Sequence, residues 1–363
     1  MSVKILHAAD FHMDSPFDGL SDEKAKERRK EQRELLFQMA ELCKKENVQL
    51  VLLAGDLLDS AASYHETHEA LCSAFSQMPC EIFISPGNHD YYCPQSPYVN
   101  LEFPKNVHIF RSASIKSYEI KELGCRIWGA GFSSRSCPSI FHGFTAPKDD
   151  LINLMVIHGD TSDKTYNLIT EEDIALSGLD YLALGHIHKY SGIKKAGDTT
   201  YAYAGCPEGR GFDELGEKGV IVGEIDKGRC NMRFVPMGGR EYQIVKLDVT
   251  GKPDIEQAIR EAIPETAGRD VFRIVLKGET DVEINLQKLN EEFSDQFYEV
   301  SFRNETVPTR DIWSEMTEDT LKGAFLRKMR DRLAGGSDED KAKAAMAVLF
   351  GLSAIENREE WQR

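Results

Sequence analysis

The sequence predicts an α/β fold. Buried strands alternate with amphipathic helices through residues 1–236. Several of those strands run directly into short polar motifs, and a compact α+β stretch at 237–307 precedes a helical segment at 308–363. These three regions are expected to form a main domain, a small second domain and a tail.

Val3–Ala9 reads as a buried strand that ends at Asp10-Phe11-His12. Ser21–Asn47 is predicted as a long charged helix with Leu35, Leu36, Met39, Ala40 and Leu42 on its apolar face. Gln49–Ala54 is a second buried strand, followed by Gly55-Asp56-Leu57-Leu58-Asp59. Ser63–Gln77 reads as a helix, and Glu81–Ser85 as a strand ending at Pro86-Gly87-Asn88-His89-Asp90. This alternation points to βαβ units in a parallel or mixed sheet. From Val107 onward strands and turns dominate. Ile152–Ile157 ends at His158-Gly159, and Asp180–Leu184 ends at Gly185-His186-Ile187-His188. Tyr201–Ala204 and Val220–Ile225 are further strands.

The pattern changes after Met237-Gly238-Gly239. Strands at Glu241–Val249, Val271–Lys277 and Gln296–Arg303 alternate with helices at Asp254–Ile263 and Ile284–Phe293, a βαβαβ module of a size suited to cap a site. In the tail, Leu321, Phe325, Met329 and Leu333 form one apolar stripe, and Ala345, Val348, Leu349, Leu352 and Ile355 a second. Two such helices either pack back on the protein or present their apolar faces to a partner.

Composition narrows the class. No apolar run among the 363 residues reaches the roughly 18 of a membrane span. The N-terminus enters the first motif without the pattern of a secretory signal. The eight cysteines show neither CxxC nor zinc-knuckle spacing, so reduced thiols and a cytoplasmic location are expected. A net charge of −16 argues against a broadly basic nucleic-acid surface, though a local basic face remains compatible with it.

The motifs carry the chemistry. Metal ligands at the carboxyl ends of strands are where open α/β sheets place their sites. Asp56 is the natural bridging carboxylate for two divalent metals. Asp10, His12 and His188 complete one metal, and Asn88, His158 and His186 the other. Mixed imidazole, carboxylate and amide donors suit Mn or Fe, with Zn possible, and suit Mg poorly. Metals held roughly 3.5–4 Å apart can share a hydroxide and bind a phosphate between them. His89 is placed to assist the leaving oxygen, with Asp90 expected to orient its ring. Asp59 either stiffens the turn or touches the site.

Together, D-x-H, GDxxD, GNHD, H-G and GHIH resemble the calcineurin-like metallophosphoesterase superfamily over roughly residues 3–235. The resemblance implies a four-layer αββα sandwich and matches the metal roles given above. The opening Ile5-Leu6-His7-Ala8-Ala9-Asp10-Phe11-His12-Met13-Asp14-Ser15-Pro16-Phe17 is similar to nucleases of the Mre11/SbcD type, and more closely to the YhaO-like branch. That similarity implies a capping domain after Met237. It also implies Mn-dependent cleavage of DNA in repair, by 3′→5′ exonuclease and single-strand endonuclease activity. The implied partner is an SMC-like coiled-coil ATPase of the SbcC/Rad50/YhaN type, bound through the C-terminal helices, and a homodimer is open. One departure stands at Ala204-Gly205-Cys206-Pro207, where the family often reads Pro-Gly-Ser-Pro; a cysteine there is open to oxidation.

Two other readings compete: a phosphoesterase for a small nucleotide or phosphodiester, and a catalytically silent scaffold of the same fold. The extra module and tail weigh against the first, and the complete ligand set against the second. A protein phosphatase is disfavoured because Ser60-Ala61-Ala62, without arginine, follows the GDxxD turn. His7, His65, His68, His108 and His142 are read as structural. Tyr91 and Tyr92 serve either as a base-stacking platform or as core. The mixed charges of Ser21–Glu34 read as a solvated helix face, with phosphate contact by some of its basic residues as the alternative.

Overall fold

The computed structural model describes residues 2–60, 63–309 and 313–335, and beyond these 343–344, 347–348, 350–352 and 354–355. The chain opens with β1 (Val3–Ala8), α1 (Asp22–Glu46), β2 (Leu50–Leu53), α2 (His65–Gln77), β3 (Glu81–Ile84), α3 (Pro97–Asn100) and β4 (Val107–Ile109). Next come β5 (Lys116–Ile120), β6 (Cys125–Ala130), β7 (Ile152–His158), α4 (Glu171–Leu176), β8 (Tyr181–Gly185), β9 (Lys194–Ala196), β10 (Thr199–Tyr203), β11 (Gly219–Asp226) and β12 (Arg229–Pro236). The remainder is β13 (Tyr242–Asp248), α5 (Ile255–Ala262), β14 (Val271–Glu279), α6 (Leu286–Phe293), β15 (Glu299–Val307) and α7 (Leu321–Gly335).

Two six-stranded sheets build the main body, in the orders β12-β11-β1-β2-β3-β4 and β5-β6-β7-β8-β10-β9. Strands β1, β2, β3 and β4 run parallel to one another, as do β6, β7, β8 and β10. Alternation of side chains divides the core. Leu50, Leu52 and Ala54 pack with Leu154, Val156 and Ala183 between the sheets. Val51 and Leu53 point the other way, onto Leu36 and Met39 of α1 and Leu71 and Phe75 of α2. The outer face of the second sheet (Met155, Ile157, Leu182, Leu184) packs on Ile174 of α4 and on Phe141 and Ala146. The αββα sandwich is therefore present, with its fourth layer reduced to one short helix and irregular chain.

Helix α1 begins and ends where its sequence says. Ser21 caps the first turn through the Lys24 N–H, and Asn47 closes the helix in the left-handed region at φ 55°. Its polar N-terminal half is less solvated than expected, because Arg28 and Gln32 are fully buried. Lys24 pairs with Glu299, Arg33 faces Asp14, and the Arg29 guanidinium donates to the Pro16 carbonyl.

The chain divides into two compact units, 1–245 with 264–274 and 290–301, and 246–263 with 275–289 and 302–363. A third sheet has the order β13-β14-β15. In the second unit, Leu326 and Met329 of α7 are buried against Ala344, Val348 and Leu352. The two apolar stripes of the tail thus pack on each other. Leu321, expected on the first stripe, is exposed, and Ala345 and Leu349 of the second lie outside the described residues.

Candidate metal centre

Parallel pairing brings the carboxyl ends of β1, β2 and β3 to one edge of the first sheet, with Ala8 level with Leu53 and Leu53 level with Ile84. Asp10 and His12, Asp56, and Asn88 follow those three strands. In the second sheet His158 is level with Gly185, which precedes His186 and His188. The seven predicted ligands therefore emerge on one edge of the sandwich, from both sheets.

The turns that carry them are strained. Asp10, His12, Asp56 and His186 all have positive φ, at 55°, 44°, 50° and 109°. Such values are uncommon outside glycine and persist where surrounding structure over-determines them. The glycines in GNHD and GHIH are required by close approach. A Cβ on Gly87 would lie 2.3 Å from Asp56 Oδ1, and one on Gly185 would lie 1.9 Å from the Ala54 carbonyl oxygen.

Hydrogen-bond partners assign the ring protons. His12 Nδ1 lies 2.9 Å from Asp59 Oδ1, and His188 Nδ1 lies 2.7 Å from Glu214 Oε1. The carboxylates favour a proton on each Nδ1, so the neutral form of each ring presents an Nε2 lone pair. The Arg210 guanidinium also lies 3.1 Å from His188 Nδ1, and at His188 the lowering by burial is outweighed by Glu214 and Asp10, which raise its pKa. Those two Nε2 atoms face each other at 3.2 Å, and Asp10 belongs to the same cluster. With both rings neutral these opposed lone pairs have no bond to make to each other, and a cation between them would satisfy both. Burial holds His12 neutral by lowering its pKa to about 4, against the raising bond to Asp59.

The second cluster shows the same logic. His158 Nδ1 donates to the Ala54 carbonyl at 2.9 Å, so its Nε2 lone pair points at Asn88 Oδ1, 2.9 Å away. His186 Nε2 lies 3.3 Å from Asp160 Oδ2, which leaves Nδ1 facing Asn88 Oδ1 at 3.1 Å and His158 Nε2 at 3.2 Å. Acceptors face acceptors again. Burial lowers the His186 pKa to about 4.

Asp56 joins the two clusters. Its Oδ2 is 3.6 Å from His12 Nε2 and 3.4 Å from His158 Nε2, while Oδ1 accepts the His89 N–H at 2.8 Å. One oxygen, rather than one from each side of the carboxylate, faces both ligand sets. Burial pushes the Asp56 pKa up, but His158, His12 and His89 outweigh it and hold the group below the usual carboxylate range. Asp10 goes the other way, raised to about 6 by burial, while its oxygens accept the His186 N–H at 2.9 and 3.1 Å. The donor set fits two divalent cations of the first transition row.

His89 Nδ1 donates to the Asp59 carbonyl at 3.0 Å, and its half-buried ring meets His12 edge-on at 4.6 Å between centroids. Asp90 is not the residue that orients it. The Asp90 carboxylate is buried and accepts from Gly87 N (2.7 Å), Leu57 N (2.8 Å), Leu58 N (3.3 Å) and Tyr98 Oη (2.6 Å). It ties the GNHD turn to the GDxxD turn, and the backbone of Asp59 orients His89. Asp59 itself touches the site through His12.

Sequence reasoning missed four residues here. Asp160 sits on His186, Glu214 on His188, and Arg210 lies 2.6 Å from Glu214 and 3.4 Å from Asp59. Gln32 of α1 donates to the Phe11 and His12 carbonyls at 3.2 and 3.3 Å, fixing the first turn. Asp160 stands two residues after His158, a spacing that could have drawn notice. Arg210, Glu214 and Gln32 belong to no motif read from the sequence. Cys206 is buried and its thiol pushed up to about 12 by burial, so it is not a ready thiolate.

The remaining histidines stand apart from the clusters. His65 pairs with Glu69, His68 with Ser63, His108 with Glu81 and His142 with Asp173. His7 bridges the sheets, bonded to Tyr181 Oη at 3.0 Å and the Leu184 carbonyl at 3.1 Å. Tyr92 packs against the core under α1 and α2, which favours the structural reading for that residue.

Comparison with known proteins agrees with this geometry. The chain is 28% identical over 372 residues to the uncharacterized metallophosphoesterase YhaO of Bacillus subtilis (strain 168), covering 96% of this chain and 90% of that protein. Residues 3–190, which include all seven ligand positions, match the calcineurin-like phosphoesterase family. The chain belongs to the calcineurin-like phosphoesterase family.

Proposed function

We propose that this phosphoesterase is a Mn-dependent DNA nuclease of the Mre11/SbcD type, with 3′→5′ exonuclease and single-strand endonuclease activity in repair. One observation carries the substrate class. The likeness to YhaO continues across nearly the whole chain, whereas the phosphoesterase match ends at residue 190. The remaining length includes β13–β15 and the helical tail. An esterase for a small nucleotide needs neither, and a polymer substrate or a macromolecular partner gives them work. The partner proposed for the tail is an SMC-like coiled-coil ATPase.

Bound divalent metals would supply Lewis acidity and an activated water. The chain itself would do the rest. Asp56 would hold the two ligand sets at a fixed separation, and the ligating imidazoles would direct their inward nitrogens at the metals. His89, when its ring carries a second proton on Nε2, would donate that proton to the leaving oxygen. No described helix is long and apolar enough to cross a membrane.

The test is hydrolysis with Mn of a 3′-labelled DNA strand beside bis-p-nitrophenyl phosphate. Cleavage of both, abolished by Asp56→Ala, supports the nuclease. Turnover of the small diester alone, persisting with the coiled-coil ATPase added, refutes it in favour of a small-substrate esterase. A net charge of −16 is the feature that favours that second reading.

A further inference from the structure

The two histidines of the first metal position share an outer support that the second position lacks. His12 Nδ1 ends on Asp59 Oδ1 and His188 Nδ1 on Glu214 Oε1. Both carboxylates meet one guanidinium. Arg210 lies 2.6 Å from Glu214 Oε1 through one terminal nitrogen and 3.4 Å from Asp59 Oδ1 through the other, with Ser15 Oγ at 3.3 Å. The Arg210 backbone N–H also donates to Glu214 Oε2 at 2.8 Å. Glu214 is thereby gripped on both oxygens. The second position is built otherwise: His158 rests on the Ala54 carbonyl, and His186 on Asp160, whose other oxygen accepts from Ser162 and Asp163.

The loop bearing Arg210 is itself anchored. Arg28, fully buried in α1, donates to the Gly209 carbonyl at 3.2 Å and pairs with buried Glu208 at 2.5 Å. Arg210 is therefore held in place from behind, and most of its guanidinium is committed to carboxylates rather than left for a substrate phosphate.

We propose that Arg210 and Glu214 are positioning residues that set the affinity of the first metal position, Asp10–His12–His188, independently of the second. One guanidinium fixes the two carboxylates, and those carboxylates fix the orientation of both imidazoles. An outer partner of a ligating histidine sets its tautomer and ring angle. Here a single side chain does so for two ligands at once. The proposal rests on the two-metal reading of the site and not on DNA as the substrate.

Mn binding to the full chain tests it, read by isothermal titration and by loss of the free-ion electron paramagnetic resonance signal. Wild type is expected to take two ions. Glu214→Gln and Arg210→Ala are expected to keep one ion at wild-type affinity and weaken the other by about 10–100-fold, the range for lost outer partners. Arg210→Lys, which keeps the charge without the two-armed reach, should fall between. In a His188→Ala background Glu214→Gln should add no further loss, whereas Asp160→Asn should add its own. Should Arg210→Ala fail to fold, the near-isosteric Glu214→Gln carries the test. Two ions bound as in wild type by these variants would overturn the proposal. So would equal weakening of both ions at an unchanged melting temperature. A single ion in wild type would instead overturn the two-metal reading beneath it.

Discussion

Asp90→Asn separates holding the turns from assisting the reaction. The Asp90 carboxylate accepts four hydrogen bonds: Oδ1 from Gly87 N, and Oδ2 from Leu57 N, Leu58 N and Tyr98 Oη. In the asparagine variant one oxygen can keep the three donors at the Oδ2 position. The amide nitrogen then faces the Gly87 N–H, donor against donor. An unsatisfied buried donor costs about 1–3 kcal/mol, and the surviving bonds lose their charge-assisted share, so a loss of about 2–4 kcal/mol is expected. At ~2–4 °C per kcal/mol for a body of this size, the melting temperature should fall by roughly 5–15 °C. His89 keeps its bond to the Asp59 carbonyl, which Asp90 does not touch. With saturating Mn and below the melting range, turnover of bis-p-nitrophenyl phosphate should therefore stay within about threefold of wild type, far less than loss of an acid–base group would cost. An unchanged melting temperature with a hundredfold fall in turnover, on the order of an acid–base loss, would refute this reasoning and restore Asp90 as the partner of His89.

Two further outcomes are expected. His89→Asn should bind metal as wild type does and lose roughly 10²–10⁴ in hydrolysis, since His89 belongs to neither predicted ligand set, although its ring lies within reach of His12 and Asp56. Undiminished turnover would remove His89 from the reaction, and weakened metal binding would make it a ligand. For His7, burial outweighs the bond to Leu184 and lowers the pKa to about 3 from an ordinary 6.5. Between those values the unfolded chain holds a proton that the folded chain does not. Its contribution is full above pH 6.5 and is lost at about 1.4 kcal/mol per pH unit as pH falls toward 3. Denaturant unfolding of metal-free wild type and His7→Gln should show this slope in their difference, and a flat difference would exclude His7 as its source.

The strand ends and helix faces were legible because burial leaves a period in the sequence. Leu50, Leu52 and Ala54 face one way and Val51 and Leu53 the other, and Ser21 and Asn47 announce the limits of α1 through their side-chain and backbone preferences. What escaped was structure without a period: the short α4, the irregular chain around Phe141, and the inward turn of Arg28, which a mixed run of charges disguised as a solvated face. The tail was legible as apolar stripes but not as a pair, because one stripe fits a neighbour within the chain as well as a neighbour outside it.

The same distinction runs through the site. A ligand must offer a particular donor atom at a strand end, so the type of residue is constrained and motifs form around it. Gly87 and Gly185 belong to those motifs for a steric reason, since a Cβ at either would strike the neighbouring turn. An outer partner has only to present an acceptor to an imidazole N–H. The structure uses a carboxylate at His12, His186 and His188 and a main-chain carbonyl at His158 and His89. A carbonyl leaves no trace in residue type, and a carboxylate can arrive from a loop 26 positions away, as Glu214 does for His188. That freedom is why Asp90, adjacent in sequence, was the wrong partner for His89. It is also why Arg210, which controls two ligands from a third loop, becomes visible only once the chain is folded.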